Sequence, residues 1–158
     1  MRKIANSVMA AGALVCGLLP AQPAQAVPRT AETATAVLYW SFRNASTGGC
    51  LSTYESGKVI TWVCEDDSQA QQWHWINSSW NGDHRLLKNR WTGRCLIATS
   101  PVTSGTCEDW TSRHWRIADS GAKNSIVSGT DAGRLFVHEW DRLEVYVAPG
   151  DMGYWYID

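Results

Sequence analysis

Gln71-Gln72-Trp73-His74-Trp75 closes the first of three similar units, and the remainder of the chain reads as that unit repeated. Trp115-Arg116-Ile117 follows 42 residues after Trp73, and Trp155-Tyr156-Ile157 another 40 on, each a Trp, a spacer and a large apolar residue. Other landmarks keep step. Sliding the second unit forward by 40 lays Leu86 on Ile126, Gly93 on Gly133, Cys95 on Leu135 and Cys107 on Val147 without a gap. Sliding it back by 45 lays Thr92-Gly93 on Thr47-Gly48 and Cys95 on Cys50. Small losses of offset then bring Cys107 onto Cys64, and both cysteines precede an acidic pair, Glu65-Asp66 and Glu108-Asp109. A period near forty also occurs in propellers and solenoids, but three copies are few for a propeller and the apolar runs are too short for paired helices.

Inside each unit the pattern has a short period. The runs 37–42, 58–63, 134–137 and 143–147 are rich in β-branched and aromatic residues, and turn signals separate them at 47–49, 55–57 and 103–105. No stretch combines a cap with a 3.6-residue period. The chain is therefore expected to be all-β, with about four short strands per unit. Closing twelve strands with threefold symmetry would remove most exposed edges.

The N-terminus carries a different signal. Met1-Arg2-Lys3 is basic, residues 4–19 are apolar or small, and Ala24-Gln25-Ala26 has the small-x-small form of a cleavage site. Residues 1–26 read as a secretory signal peptide, residues 27–36 as a flexible arm with little to bury, and residues 37–158 as one domain. The expected location is extracellular. Loss of Arg2 and Lys3 leaves 12 basic against 15 acidic residues, a net of −3. Scattered basic residues and a negative balance argue against a nucleic-acid partner, and nothing else is long and apolar enough for a membrane span.

Cys16 leaves with the leader, so four cysteines remain in an oxidising compartment. Of their three possible pairings the repeat register selects Cys50 with Cys64 and Cys95 with Cys107, since each pair holds the same two places in its unit. On the ungapped alignment, Leu135 and Val147 replace a third bridge by an apolar contact. Zinc is disfavoured because no Cys-x-x-Cys or clustered His accompanies the pairs, and no cofactor is expected.

Gly49-Cys50-Leu51 with Gln71-Gln72-Trp73, and Gly93-Arg94-Cys95-Leu96 with Arg113-His114-Trp115, resemble the ricin B-chain lectin family. The resemblance covers residues 37–158 and implies a β-trefoil. In that family a shallow cup binds sugar through an Asp two places after the first cysteine, a stacking aromatic two places before the second, and an Asn ahead of the terminal Gln-x-Trp. Carried over, these places hold Ser52, Trp62 and Ala70, followed by Gln71, in the first unit. They hold Ile97, Gly105 and Ser112 in the second, and Val137 and Val145 open the series in the third. Only the first unit keeps an aromatic platform. The candidate ligand residues are therefore Ser52, Trp62 and Gln71, with Asp66 or Asp67 as the substitute acid. Stacking suits the C–H face of a pyranose, and a carboxylate suits its vicinal hydroxyls.

Two functions follow. One is a secreted, non-catalytic carbohydrate-binding module with at most one family-type pocket, holding an extracellular glycan or polysaccharide. The other is a secreted protein-binding subunit or adaptor whose lectin pockets have been lost, using exposed tryptophans among Trp80, Trp91, Trp110 and Trp140 or the 27–36 arm. Catalysis is disfavoured: His74, His84, His114 and His138 are dispersed, and no nucleophile elbow, metal-ligand pair or phosphate loop is present.

Overall fold

The computed structural model describes residues 36–80, 82–138, 143–149 and 153–158. The expected signal peptide and almost all of the 27–36 arm lie outside the described residues. Twelve strands are present among the described residues. Six form a barrel: β1 (Phe42–Asn44), β4 (Trp73–Ile76), β5 (Arg85–Asn89), β8 (His114–Ser120), β9 (Lys123–Ser128) and β12 (Tyr154–Ile157). Pairing runs β4–β5–β8–β9–β12–β1, all antiparallel. Trp40 closes the ring by exchanging both backbone hydrogen bonds with Trp73, at 2.7 and 2.9 Å. The other six make three hairpins: β2 (Cys50–Thr53) with β3 (Val59–Trp62), β6 (Cys95–Ile97) with β7 (Thr103–Gly105), and β10 (Arg134–Val137) with β11 (Val145–Ala148). They meet one another through the bridges Lys58 to Thr103 and Ile60 to Glu144.

Four sets of three buried side chains, together with Val137, make the core: Phe42, Leu87 and Ile126; Leu51, Leu96 and Leu135; Val59, Val102 and Val145; and Trp73, Trp115 and Trp155. The unit-ending tryptophans do the same job three times. Each is fully buried, and each indole N–H donates to a core leucine carbonyl: Trp73 to Leu51 at 2.9 Å, Trp115 to Leu96 at 3.0 Å and Trp155 to Leu135 at 2.8 Å. A buried indole needs such a partner, because an unpaired N–H inside costs about 1–3 kcal/mol. Trp40 and Trp75 are partly buried against this core, as expected. Both disulfides form as the register selects, Cys50 with Cys64 and Cys95 with Cys107, each with a Cα separation of 5.0 Å.

Three expectations are corrected. First, the step from the second unit to the third is 39 across the start of the third unit, one fewer than the ungapped alignment. Asn44, Asn89 and Ser128 are equivalent, because they face Trp155, Trp73 and Trp115 and each donates its N–H five residues onward, to Gly49, Arg94 and Gly133. The left-handed positions agree, at Gly48, Gly93 and Ala132. Arg134 therefore takes the place of Cys50 and Cys95, and Leu135 is the third core leucine rather than a lost cysteine. A shift of one residue exchanges the two faces of a strand, so the correction decides which side chain turns inward. It also makes Phe136 and Ala148, rather than Val137 and Val145, the third-unit counterparts of Ser52 and Trp62.

Second, Thr103-Ser104-Gly105 is strand β7 and not a turn. Gly105 lies opposite Cys95, and a Cβ there would come within 2.9 Å of Ile97 Cδ1, so the glycine serves close packing. Third, the 37–42 run yields only the Trp40 bridge and the start of β1, and Val37 and Leu38 are exposed.

Candidate functional site

The five candidate residues of the first unit separate into two groups. Trp62 ends β3, where its three predecessors are buried, yet its side chain is 46 % exposed. Asp66 and Asp67 sit on the exposed turn after Cys64. Ser52 and Gln71 turn inward. Ser52 is 1 % exposed and its hydroxyl donates to the Cys50 carbonyl at 3.1 Å. Gln71 is 3 % exposed, and its amide is used at both ends: Nε2 donates to Val63 O at 2.8 Å and Oε1 accepts Glu65 N–H at 2.9 Å. Gln71 therefore ties the acidic turn to the strand carrying Trp62. A cleft of about 250 Å³ brings Asp66 and the edge of Gln71 together with Ser41, Arg43 and Asp158, while Trp62 and Asp67 stay outside its lining.

A second arrangement lies where the β4–β5 connection crosses β8. Trp80, 39 % exposed, stacks on the His114 ring with centroids 4.6 Å apart and planes 13° apart, and meets His84 edge-on at 4.8 Å. His114 is buried, and its Nε2 contacts Asp109 Oδ1 at 2.5 Å. A carboxylate only accepts, so Nε2 carries the proton. Asp109 Oδ2 in turn accepts the Ser79 backbone N–H at 2.6 Å and the Ser79 hydroxyl. The indole is thus fixed through Ser79, Asp109 and His114. Gly129 makes the room: a Cβ there would fall 2.4 Å from Trp80 Cζ3. In the preceding unit the equivalent residue is Arg90, whose N–H bonds Gln72 O as that of Gly129 bonds His114 O.

Beside Trp80 lie two adjoining hollows of about 560 and 260 Å³. Asp83 and Arg116 line both. Trp80 and His84 edge the larger, and Trp75 and Arg85 the smaller. Neither Arg85 nor Arg116 forms an ion pair among the described residues. Partial burial, then the Arg116 guanidinium, hold the His84 imidazole below its usual range. Of this group the sequence picks out only Trp80, as a tryptophan among polar residues; Trp91 and Trp110 are also exposed, and Trp140 lies outside the described residues.

The Ser79 hydroxyl first, then His114 and the Ser79 N–H, hold the Asp109 carboxyl down at about 2, from an ordinary 3.8. Since the folded value is the lower one, the ionised carboxylate stabilises the fold fully above about pH 4, and that contribution is lost as pH falls toward 2. Carbon-detected NMR titration is expected to find the Asp109 midpoint near 2. Ser79→Ala moves the midpoint up, and an unchanged midpoint in that variant rules out the assigned cause.

Twelve strands in three equivalent units, with every unit-ending Trp buried on the same kind of leucine carbonyl, define a β-trefoil of the ricin B lectin type. The model of the cytolethal distending toxin A/C domain matches residues 26–113, more than half of the chain, and the chain belongs to that family. Among solved structures it is similar to the designed threefold-symmetric protein ThreeFoil, with TM-score 0.67, 18 % identity, and coverage of 75 % of this chain and 96 % of that one. It is similar to the cytolethal distending toxin of Actinobacillus actinomycetemcomitans, with TM-score 0.63, 13 % identity, and coverage of 75 % and 88 %. An exo-β-1,3-galactanase from Clostridium thermocellum matches with TM-score 0.65 and 17 % identity over 78 % of this chain, which spans only 30 % of the galactanase chain. No curated protein matches the sequence. Among the described residues no helix is long and apolar enough to cross a membrane, and no group of three His, Cys, Asp or Glu side chains could hold a metal ion.

Proposed function

We propose that this chain is a secreted, non-catalytic, lectin-like binding module that holds an extracellular glycan at Trp62, with Asp66 or Asp67 accepting sugar hydroxyls. The exposure of Trp62 carries this reading. An indole left 46 % exposed at the end of an otherwise sealed strand offers a flat apolar face at the position where the lectin family stacks a sugar ring. Gln71 acts as a positioning residue, holding the Glu65–Asp67 turn against Val63. Ser52 supports the hairpin from within. One shallow site of this kind binds at roughly millimolar strength, about −4 kcal/mol.

A glycan array tests it. The wild type is expected to retain a defined set of glycans, Trp62→Ala to lose them, and Asp66→Asn combined with Asp67→Asn to weaken them. Retention unaffected by Trp62→Ala removes the proposal. A protein-binding subunit is the second reading, favoured by Val63, which is 70 % exposed directly after Trp62 and adds apolar surface that a sugar ring does not need. A blank array together with loss of a secreted partner in both Trp62→Ala and Val63→Asp supports that reading instead.

A further inference from the structure

We propose that the cup formed by Trp80, Asp83, Arg85 and Arg116 is a second ligand site, for an acidic sugar: a pyranose carrying a carboxylate or a sulfate ester. It shares no residue with the Trp62 site and selects for charge, which the first site does not.

The platform is built before any ligand arrives. One face of the Trp80 indole is covered by His114, which is itself fixed through Asp109 to Ser79, and the ring edge rests over Gly129. An aromatic side chain locked in this way loses little freedom on binding, and the part of the ring left exposed beside His84 suits the C–H groups of a sugar. The arrangement is particular to this unit: the backbone equivalent of Gly129 one unit earlier is Arg90, whose guanidinium lies over Tyr39 and donates to Gln72.

Charge then selects the ligand. Arg85 on β5 and Arg116 on β8 both line the cup and have no ion-pair partner among the described residues. Guanidinium groups hold planar oxyanions in pairs of hydrogen bonds. Asp83 lines both hollows beside Arg116 and adds a carboxylate to the same wall. That carboxylate accepts hydroxyl protons and opposes densely charged anions, so a singly charged acid group next to free hydroxyls fits the lining better than a phosphate dianion does. His84, held below its usual range by partial burial and the Arg116 guanidinium, lines the larger hollow and offers a further polar edge. The sugar ring is therefore placed on Trp80, its acid group on Arg116 and Arg85, and its hydroxyls on Asp83.

The test is titration of the full mature chain, followed by the indole N–H resonances in NMR. The probes are sialyllactose and a glucuronate disaccharide for the carboxylate, N-acetylglucosamine 6-sulfate for the sulfate, lactose as the neutral control and adenosine monophosphate as the phosphate control. At least one acidic sugar is expected to shift the Trp80 resonance with a millimolar dissociation constant, and which arm responds decides between carboxylate and sulfate. Arg116→Gln and Arg85→Ala should each weaken that binding about tenfold or more, and Gly129→Ala, which displaces the indole, should abolish it. Arg85 is exposed, so its variant keeps the fold, as an unchanged unfolding midpoint checks. Trp62→Ala should leave acidic-sugar binding intact even if array binding is lost, which separates this site from the first. The proposal is overturned if lactose shifts Trp80 as strongly as the acidic sugars, if adenosine monophosphate binds tighter than any of them, or if no acidic sugar shifts Trp80 at concentrations up to roughly 20 mM.

Discussion

Trp115→Ala is expected to lower the unfolding free energy by roughly 3–5 kcal/mol, measured by urea denaturation with the slope held in common with the wild type. Trp115 is fully buried among Leu96, Val102, Ile126 and the other members of the core cluster. Its removal leaves a cavity that neighbouring strands cannot fill without breaking the β5–β8 and β8–β9 pairings. It also strips the Leu96 carbonyl of its donor. Trp115→Phe separates the two effects: it retains most of the apolar area and gives up the hydrogen bond, so a loss of about 1–3 kcal/mol is expected. The same pair of substitutions at Trp73 and Trp155 should give similar values, because all three indoles have the same burial and the same kind of acceptor. A loss below about 1 kcal/mol at any of the three would contradict the equivalence of the units.

Removing both disulfides has the second large effect. Each bridge joins residues 14 or 12 apart, and a loop of that size is worth about 3 kcal/mol in the loop-entropy account. The bridges brace different hairpins, so their contributions should add to within roughly half a kcal/mol. The combined loss of about 6 kcal/mol is comparable to the whole stability of an ordinary domain. Cys50→Ala with Cys64→Ala, and Cys95→Ala with Cys107→Ala, are each expected to remain folded with a lowered denaturation midpoint. The fourfold variant is expected to be largely unfolded at 37 °C, as near-ultraviolet circular dichroism reads directly. The third hairpin sets the comparison: Arg134 stands where the other two carry their first cysteine, and buried Leu135 and Val145 tie that hairpin to the core. A fourfold variant as stable as the wild type would mean that the same burial suffices in all three hairpins.

The fold was legible because its landmarks are local and periodic. Cysteine pairs, Gly-Cys-Leu motifs and the terminal Trp of each unit can be counted along the chain, and the chemistry of each is the same wherever it recurs. The candidate site was less legible. Trp62 was readable as a platform only from its place two residues before the second cysteine; alternation along β3 does not explain it, since Val59, Ile60 and Thr61 are all buried and Val63 is exposed like Trp62. The inward direction of Ser52 and Gln71 was not, because it depends on which backbone groups around the Cys50–Cys64 hairpin were left for them to bond. The Trp80 cup escaped almost entirely. Arg85, Arg116 and Gly129 are ordinary residues in sequence, and their significance arises only where three separate chain segments cross.

By itself the sequence determined that this chain is a threefold all-β repeat with two internal bridges and a buried Trp ending each unit. Periodic burial and paired cysteines admit few other solutions. Only the tertiary structure decided the one-residue shortening that makes Leu135 a core leucine, and the packing of Trp80 onto His114 over Gly129. Both depend on ladder register and hairpin length. A change of one residue reverses the face a side chain takes, and it leaves no mark on the spacing of cysteines and tryptophans that announces the fold.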